Sequence, residues 1–255
     1  MKLNKANARA YFKHYPGSKS VVIFIHGIIE GPKQFRNLAK IAYNKGRSIN
    51  MLLLPGHGGS GGCFANTGYM AWVKYVTNEI NRMRLYYDEI ILVGHSMGAL
   101  FAVCEAVSHK AQINRLVLFD IPLKIHVWPR VMEGALKILI GKVKPAEDYV
   151  VAEYNAMNVM PFERLSIHYI SWARRYLELY TIIKYTRKQL KKLEVPIFIV
   201  FAEKDEFVSL KSDQYLQYLS APYFKLKLKE SGHFCYNHSD LIILEKYFEE
   251  FISNS

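Results

Sequence analysis

The pattern of apolar and polar positions predicts strands that alternate with helices along the chain. Continuous apolar runs have the length of strands buried on both faces, and they occupy residues 21–25, 90–93, 116–119 and 196–202. Further strands are predicted at residues 9–15, 49–54 and 223–229, and helices at residues 33–45, 69–86, 209–219 and 239–252. Such alternation forms a mostly parallel central sheet with helices on both faces, so the predicted fold class is α/β.

The apolar run 90–93 leads directly into a serine-containing pentapeptide, Gly94-His95-Ser96-Met97-Gly98. A helix-like stretch follows this G-x-S-x-G sequence, which is typical of a sharp turn between a strand and a helix. The two glycines let the strand and the helix approach closely, while the serine takes a strained backbone conformation. Because the turn exposes a hydroxyl beside the positive end of a helix, Ser96 is predicted to be a nucleophile.

A serine nucleophile needs a histidine base, and in elbows of this kind the base comes last along the chain. His233 follows the alternating run at residues 224–229, so its imidazole is predicted to lie at the carboxyl end of a strand. His238 stands five residues further on, in a sequence typical of a helix start. His233 is therefore the predicted base.

The carboxylate that orients the base should also follow a strand. Asp205 comes just after the buried run 196–202 and is the predicted acid. Asp120 is its rival because it ends another predicted strand, and Glu203 and Glu206 are close neighbours of Asp205. The sequence leaves these alternatives open.

Two backbone N–H groups are needed to stabilise the oxyanion of a tetrahedral intermediate. One is predicted at Met97, directly after the nucleophile, and the other at Ile28, in the loop after the strand at residues 21–25. His26 and His57 precede the nucleophile along the chain, so they are interpreted as loop-shaping histidines rather than catalytic ones, with His26 buried and hydrogen-bonded.

Five motifs carry a resemblance to a known family: His26-Gly27-x-x-Glu30, Pro55-Gly56-His57-Gly58-x-Ser60, Gly94-His95-Ser96-Met97-Gly98, Glu203-Lys204-Asp205 and Gly232-His233. In this order they resemble the α/β-hydrolase superfamily, and they are similar to monoacylglycerol lipase and lysophospholipase-like serine esterases. The motifs cover residues 20–120 and 195–253. The resemblance implies a Ser96–Asp205–His233 triad with Ile28 and Met97 as oxyanion donors. One position departs from the lipase pattern, because Gly31 stands where a histidine is common.

The segment 121–194 interrupts this pattern between two core strands. It is rich in aromatic and apolar residues and predicts a helical cap, or lid, on a core formed by residues 1–120 and 195–255. Trp128 and Trp172 are its predicted substrate-binding residues. The segment holds 13 Lys/Arg and 7 Asp/Glu, which gives it +6 of the formal net charge of +12. We interpret this charge as a solvated face, with peripheral contact to an anionic membrane as the alternative.

Composition and motif content bear on the location of the protein and on the classes of function it can have. The three cysteines are scattered without a C-x-x-C pair, which favours a reducing compartment and a cytoplasmic location. The sequence predicts no secretory signal and no membrane span. It also contains no metal-binding motif and no nucleic-acid recognition motif.

We therefore expect a serine hydrolase without a cofactor, acting on small-molecule carboxylic esters with an apolar acyl chain, such as a monoacylglycerol or a lysophospholipid. A thioesterase, amidase, C–C bond hydrolase or acyltransferase would use the same triad. A non-enzymatic ligand receptor of the same fold is a further alternative.

Overall fold

The computed structural model describes residues 9–109, 113–129, 133, 136–137 and 168–253. Within these residues, one sheet contains seven strands in the order β1-β3-β2-β4-β5-β6-β7. The strands are β1 (Tyr11–Lys13), β2 (Ser20–Ile25), β3 (Ser48–Met51), β4 (Glu89–His95), β5 (Arg115–Phe119), β6 (Ile197–Ala202) and β7 (Tyr223–Leu228). Only β1 pairs in the antiparallel direction, so the sheet is mostly parallel, as the sequence predicts.

Helices cover both faces of this sheet. The described helices are α1 (Arg36–Asn44), α2 (Gly61–Ala65), α3 (Tyr69–Met83), α4 (Met97–Ser108), α5 (His168–Gln189) and α6 (His238–Ser253). Short 3₁₀ helices lie at Pro32–Phe35, Leu190–Lys192 and Leu210–Tyr218. Apolar residues of α1 and α6 pack on one face of the sheet, and those of α3, α4 and α5 pack on the other.

Side chains along β2 point alternately to the two faces of the sheet, so this strand contacts both layers of helices. Val22 and Phe24 face the layer of α1 and α6, whereas Val21, Ile23 and Ile25 face the opposite layer, and all five are fully buried. A strand with a core on each side must be apolar at every position, which is why the sequence shows a continuous run.

Parallel pairing brings the carboxyl ends of the central strands to one edge of the sheet. His95 at the end of β4 lies opposite Phe119 of β5, and Phe119 lies opposite Val200 near the end of β6. The loops that follow these strands therefore meet at one edge, which is where ligands bind in sheets of this kind.

Some predicted elements differ in extent. The strand predicted at residues 49–54 ends at Met51, because the backbone N–H of Leu54 donates to the imidazole of His26 instead of to a strand. The helix predicted at residues 209–219 is a 3₁₀ helix. The glycine-rich stretch at residues 56–62 includes the start of α2, where Ser60 caps the helix by accepting from the N–H of Cys63.

The predicted cap is described only at residues 121–129, 133, 136–137 and 168–194, and the rest of it lies outside the described residues. In the described part, α5 packs against α2 and α4 and contributes Trp172, Leu179 and Ile183 to the core layer beside the sheet. The division into a core and a cap at residues 121 and 194 stays a prediction.

Candidate active site

The turn between β4 and α4 holds Ser96 in a conformation that L-amino acids rarely adopt, with φ 52° and ψ −121°. Close packing enforces this turn. A Cβ atom on Gly94 would lie 2.5 Å from the backbone of Ala99, and one on Gly98 would overlap the carbonyl oxygen of Ile25. These contacts explain why the sequence has glycine on both sides of the serine.

Asp205 and His233 are joined directly by a hydrogen bond of 2.6 Å between His233 Nδ1 and Asp205 Oδ2. The other carboxylate oxygen, Oδ1, accepts the backbone N–H groups of Phe207 and Val208 at 2.7 and 2.6 Å. Three donors thus fix the carboxylate, which in turn fixes the orientation of the imidazole. Both side chains are almost fully buried.

The surroundings of His233 favour its charged form. Burial opposes the charge, but the negative charge of Asp205 and its hydrogen bond outweigh burial, with help from Glu30 and Asp120, and raise the pKa of His233 to about 9. The main chain of His233 is held as well, because its N–H donates to Glu206 Oε2 at 3.0 Å and its carbonyl accepts from His95 Nε2 at 3.1 Å.

Sequence reasoning placed Glu30 and His95 in motifs but gave them no role. In the structure, Glu30 Oε2 accepts from the N–H of Gly27 at 2.6 Å, the amide of Gln34 at 2.7 Å and His95 Nδ1 at 2.8 Å. Burial raises the pKa of Glu30, but the charge and hydrogen bond of His95 outweigh it, together with His233 and Gln34, and lower it to about 2. A buried, ionised carboxylate therefore lies beside His233.

The two predicted oxyanion donors lie on the loop after β2 and at the start of α4. Among the described residues, neither the N–H of Ile28 nor that of Met97 donates to another protein group. The N–H of Ile29 is used differently, because it donates to His57 Nε2 at 3.0 Å. Within the part of the chain that the structure describes, the loop therefore presents its Ile28 N–H without a competing acceptor.

His26 and His57 support this loop as neutral side chains. His26 Nδ1 donates to the carbonyl of Gly27 at 2.8 Å, and its Nε2 accepts from Leu54 at 3.0 Å. Burial lowers the pKa of His26 to about 4 and that of His57 well below its ordinary value. The interpretation of His26 as a buried, hydrogen-bonded loop residue is confirmed.

Asp120 lies near Asp205 and His233 but has other partners. Its Oδ1 accepts from the N–H of Ala202 at 2.7 Å and its Oδ2 accepts from the hydroxyl of Tyr236 at 3.0 Å. Burial raises its pKa to about 7, and the nearby charge of Asp205 adds to the effect. The hydrogen bond to His233 Nδ1 is made by Asp205, not by Asp120.

Metal-ligand atoms come together at the same place. Among the described residues, Glu30, His95 and His233 form one such group and Asp120, Asp205 and His233 another, each within 4.8 Å. His233 belongs to both groups, and its Nδ1 is already engaged with Asp205. The contacts of His233 in these groups are therefore hydrogen bonds and close ionic contacts between protein side chains.

The two tryptophans of the predicted cap occupy different environments. Trp172 is buried, its ring packs edge-on against Phe64 at 5.0 Å, and its Nε1–H donates to the carbonyl of Gly61 at 3.0 Å. Trp128 is half-buried, stacks on His126 and donates its backbone N–H to the carbonyl of Glu206 at 3.2 Å. The backbone of Trp128 thus contacts the loop that carries Asp205. The substrate-binding roles of both residues stay predictions.

The mostly parallel sheet and its serine elbow define an α/β-hydrolase. The model of the family described as serine aminopeptidase, S33 matches residues 16–233, and the chain belongs to this family. The predicted resemblance to the α/β-hydrolases is confirmed.

Solved structures of lipolytic enzymes share the fold. The metagenome-derived lipolytic enzymes LipS and LipT match with 17% identity over 100% of both chains and a TM-score of 0.74. A monoacylglycerol lipase of Paleococcus ferrophilus matches with 16% identity over 99% of both chains and a TM-score of 0.70. The sn-1-specific diacylglycerol lipase ABHD11 of Danio rerio is 28% identical over 106 residues, which cover 41% of this chain and 32% of that relative. The chain thus aligns with about a third of that curated relative.

The described helices include none with the length and apolar character needed to span a bilayer.

Proposed function

We propose that the protein is a serine hydrolase that cleaves carboxylic esters through an acyl-enzyme on Ser96. The observation that carries the proposal is the 2.6 Å hydrogen bond from His233 to Asp205. It lies at the edge of the sheet where the Ser96 elbow also lies. A strained serine together with an oriented imidazole is the arrangement that nucleophilic acyl transfer requires.

In the proposed reaction, Ser96 Oγ attacks the ester carbonyl while His233 Nε2 takes the hydroxyl proton. Asp205 keeps the second proton of His233 on Nδ1 and stabilises the imidazolium. The N–H groups of Ile28 and Met97 stabilise the oxyanion. His233 then protonates the departing alcohol, and water releases the acyl group.

The surroundings of His233 support a substrate with an apolar acyl chain. The centres of the Phe207 and Phe234 rings lie 5.2 and 4.8 Å from the centre of the imidazole. Two of the similar proteins are named as lipases of monoacylglycerol and diacylglycerol. We therefore propose a monoacylglycerol or a lysophospholipid as the substrate class.

Covalent labelling tests the nucleophile. A fluorophosphonate probe should add to Ser96, and Ser96→Ala should abolish both labelling and ester turnover, whereas the matched control Ser239→Ala, at an exposed serine, should preserve both. Labelling of a different serine, or no labelling of the folded wild-type protein, would contradict the proposal. Turnover of an ester also separates an enzyme from a receptor of the same fold.

Amide hydrolysis is the second candidate, because the matching family is described as serine aminopeptidase. The same triad cleaves amides and esters, so the substrate must decide. An aminoacyl p-nitroanilide compared with a p-nitrophenyl ester of similar acyl size gives the answer. We expect the ester to have the higher kcat/KM, and a preference for the anilide would favour the peptidase.

The exposed face of α5 carries basic and apolar side chains, among them Ile170, Arg174, Leu177, Lys184 and Lys188. We retain the interpretation of this face as a solvated one and propose a cytoplasmic location. Sedimentation with anionic vesicles would reveal the alternative, a peripheral contact with membranes.

A further inference from the structure

One oxygen of Glu30 lies at the triad without a hydrogen-bond partner among the described residues. The side chain is 1% exposed, and Oε1 is buried and accepts from no protein group there. It lies 3.8 Å from His233 Nε2, the nitrogen that faces the reacting atoms in the proposed mechanism. A buried acceptor of this kind needs a donor, because an unsatisfied charged oxygen loses stabilisation that water would otherwise provide.

We propose that Glu30 Oε1 positions the water molecule that hydrolyses the acyl-enzyme. The inference deepens the proposed function and rests on it. At ordinary hydrogen-bond lengths of about 2.8 Å, a single water oxygen can reach both Oε1 and His233 Nε2, since these atoms lie 3.8 Å apart. Such a water donates one hydrogen to each acceptor, and its lone pair is left to attack the acyl carbon.

The step balances without any further reactant. The water O–H bond facing His233 breaks, its proton moves to Nε2, and the water oxygen forms a bond to the acyl carbon. The electron pair of the oxyanion then returns, the bond from carbon to Ser96 Oγ breaks, and His233 gives its proton to Oγ. Glu30 remains a carboxylate throughout and holds only the second hydrogen of the water.

The contacts of the other oxygen, Oε2, keep Glu30 in this role. Three donors hold Oε2, so the carboxylate cannot rotate to exchange its two oxygens without losing hydrogen bonds. Both ring nitrogens of His95 face oxygens, Glu30 Oε2 and the carbonyl of His233, so the His95 ring ties the carboxylate to the main chain of the catalytic histidine.

The substitution Glu30→Gln separates the two oxygens chemically. The three donors around Oε2 require the amide oxygen of the new side chain to take that place. The amide NH₂ group then occupies the position of Oε1 and presents a donor to the water where an acceptor is needed. Glu206→Gln is the matched control, because Glu206 is a second buried carboxylate that contacts the backbone N–H of His233.

Pre-steady-state kinetics with a p-nitrophenyl ester, together with intact-protein mass spectrometry, tests the inference. In Glu30→Gln we expect the burst of p-nitrophenol to keep nearly its wild-type rate, while deacylation slows by about 10²-fold and the acyl-enzyme accumulates. Glu206→Gln should not accumulate it. Rates are compared on the plateau of each pH profile, so that a changed pKa of His233 does not produce the difference.

Parallel slowing of acylation and deacylation in Glu30→Gln would overturn the inference, because it would show a purely structural role. Unchanged deacylation would overturn it as well. Neither result affects the proposed function, which depends on acylation of Ser96 in the wild-type protein and is read from the mass of that adduct. A wild-type protein that never acquires the acyl mass would instead refute the proposed function.

Discussion

Replacing Asp205 by asparagine is expected to reverse the tautomer of His233. Oδ1 accepts two backbone N–H groups, so the amide oxygen of the new side chain must take that position. Its NH₂ group then faces His233 Nδ1, which can receive this hydrogen bond only as an acceptor. The imidazole proton consequently moves to Nε2, where it blocks transfer of the proton from Ser96.

The size of the effect follows from this reversal. A comparable substitution in another serine hydrolase lowers kcat by about 10⁴, equivalent to about 5 kcal/mol of transition-state stabilisation. Asp205→Asn should lose activity on this scale. The side chain at position 205 keeps its hydrogen bonds to the backbone in the variant, so the thermal unfolding temperature should change little.

Asp120→Asn is the control, because Asp120 is a buried aspartate near the same histidine. The new amide can still accept from Ala202, and the hydroxyl of Tyr236 can turn to accept from the NH₂ group. Even the loss of one of these two hydrogen bonds would cost only about 1 kcal/mol, so kcat should fall by less than about tenfold. Measurement of kcat, KM and thermal unfolding for both variants decides the matter. Equal losses, or a larger loss for Asp120→Asn, would refute the reasoning.

Four further predictions follow from the site and its supports. Because the pKa of His233 is raised to about 9 and the base must be neutral, kcat/KM should rise with pH with its midpoint near pH 9, and a midpoint near pH 6.5 would disagree. Gly98→Ala should lower the unfolding temperature, since its Cβ overlaps the carbonyl of Ile25, and an unchanged temperature would show that the elbow can relax. Trp172→Ala should destabilise the protein by about 3–5 kcal/mol in denaturant unfolding, as for a core residue. Trp128→Ala should stay folded and shift the preference among acyl-chain lengths in an ester panel. An unchanged preference would show that Trp128 does not line the substrate pocket.

The sequence predicts those parts of the site that depend on local structure. The elbow around Ser96 needs only a strand, two glycines and a helix in succession, and the parallel sheet follows from continuous apolar runs. The choice between Asp205 and Asp120 needs more, because both residues follow neighbouring strands and only the loop geometry decides which carboxylate meets His233.

Contacts between residues that are far apart in the chain cannot be predicted from the sequence pattern. Glu30 and His95 are 65 positions apart, and their hydrogen bond forms only because β2 and β4 are neighbours in the sheet. Trp172 shows the same difficulty within the predicted cap. Its aromatic character predicts a substrate contact, but the sequence does not show that its ring packs against Phe64, which is distant in the chain.

The backbone of Ser96 also bears on how stable the whole protein can become. A non-glycine residue held in a sparsely populated conformation costs about 1–3 kcal/mol, while the net folding stability of a typical domain is about 5–15 kcal/mol. The strained turn at Ser96 thus offsets a sizeable part of the net free energy that keeps the chain folded. A more relaxed backbone at Ser96 would make the protein more stable to heat, but it would also move the serine hydroxyl. Ser96→Gly should accordingly melt at a higher temperature than the wild type while being inactive, which calorimetry can measure, and an equal or lower melting temperature would show that the turn stores little strain.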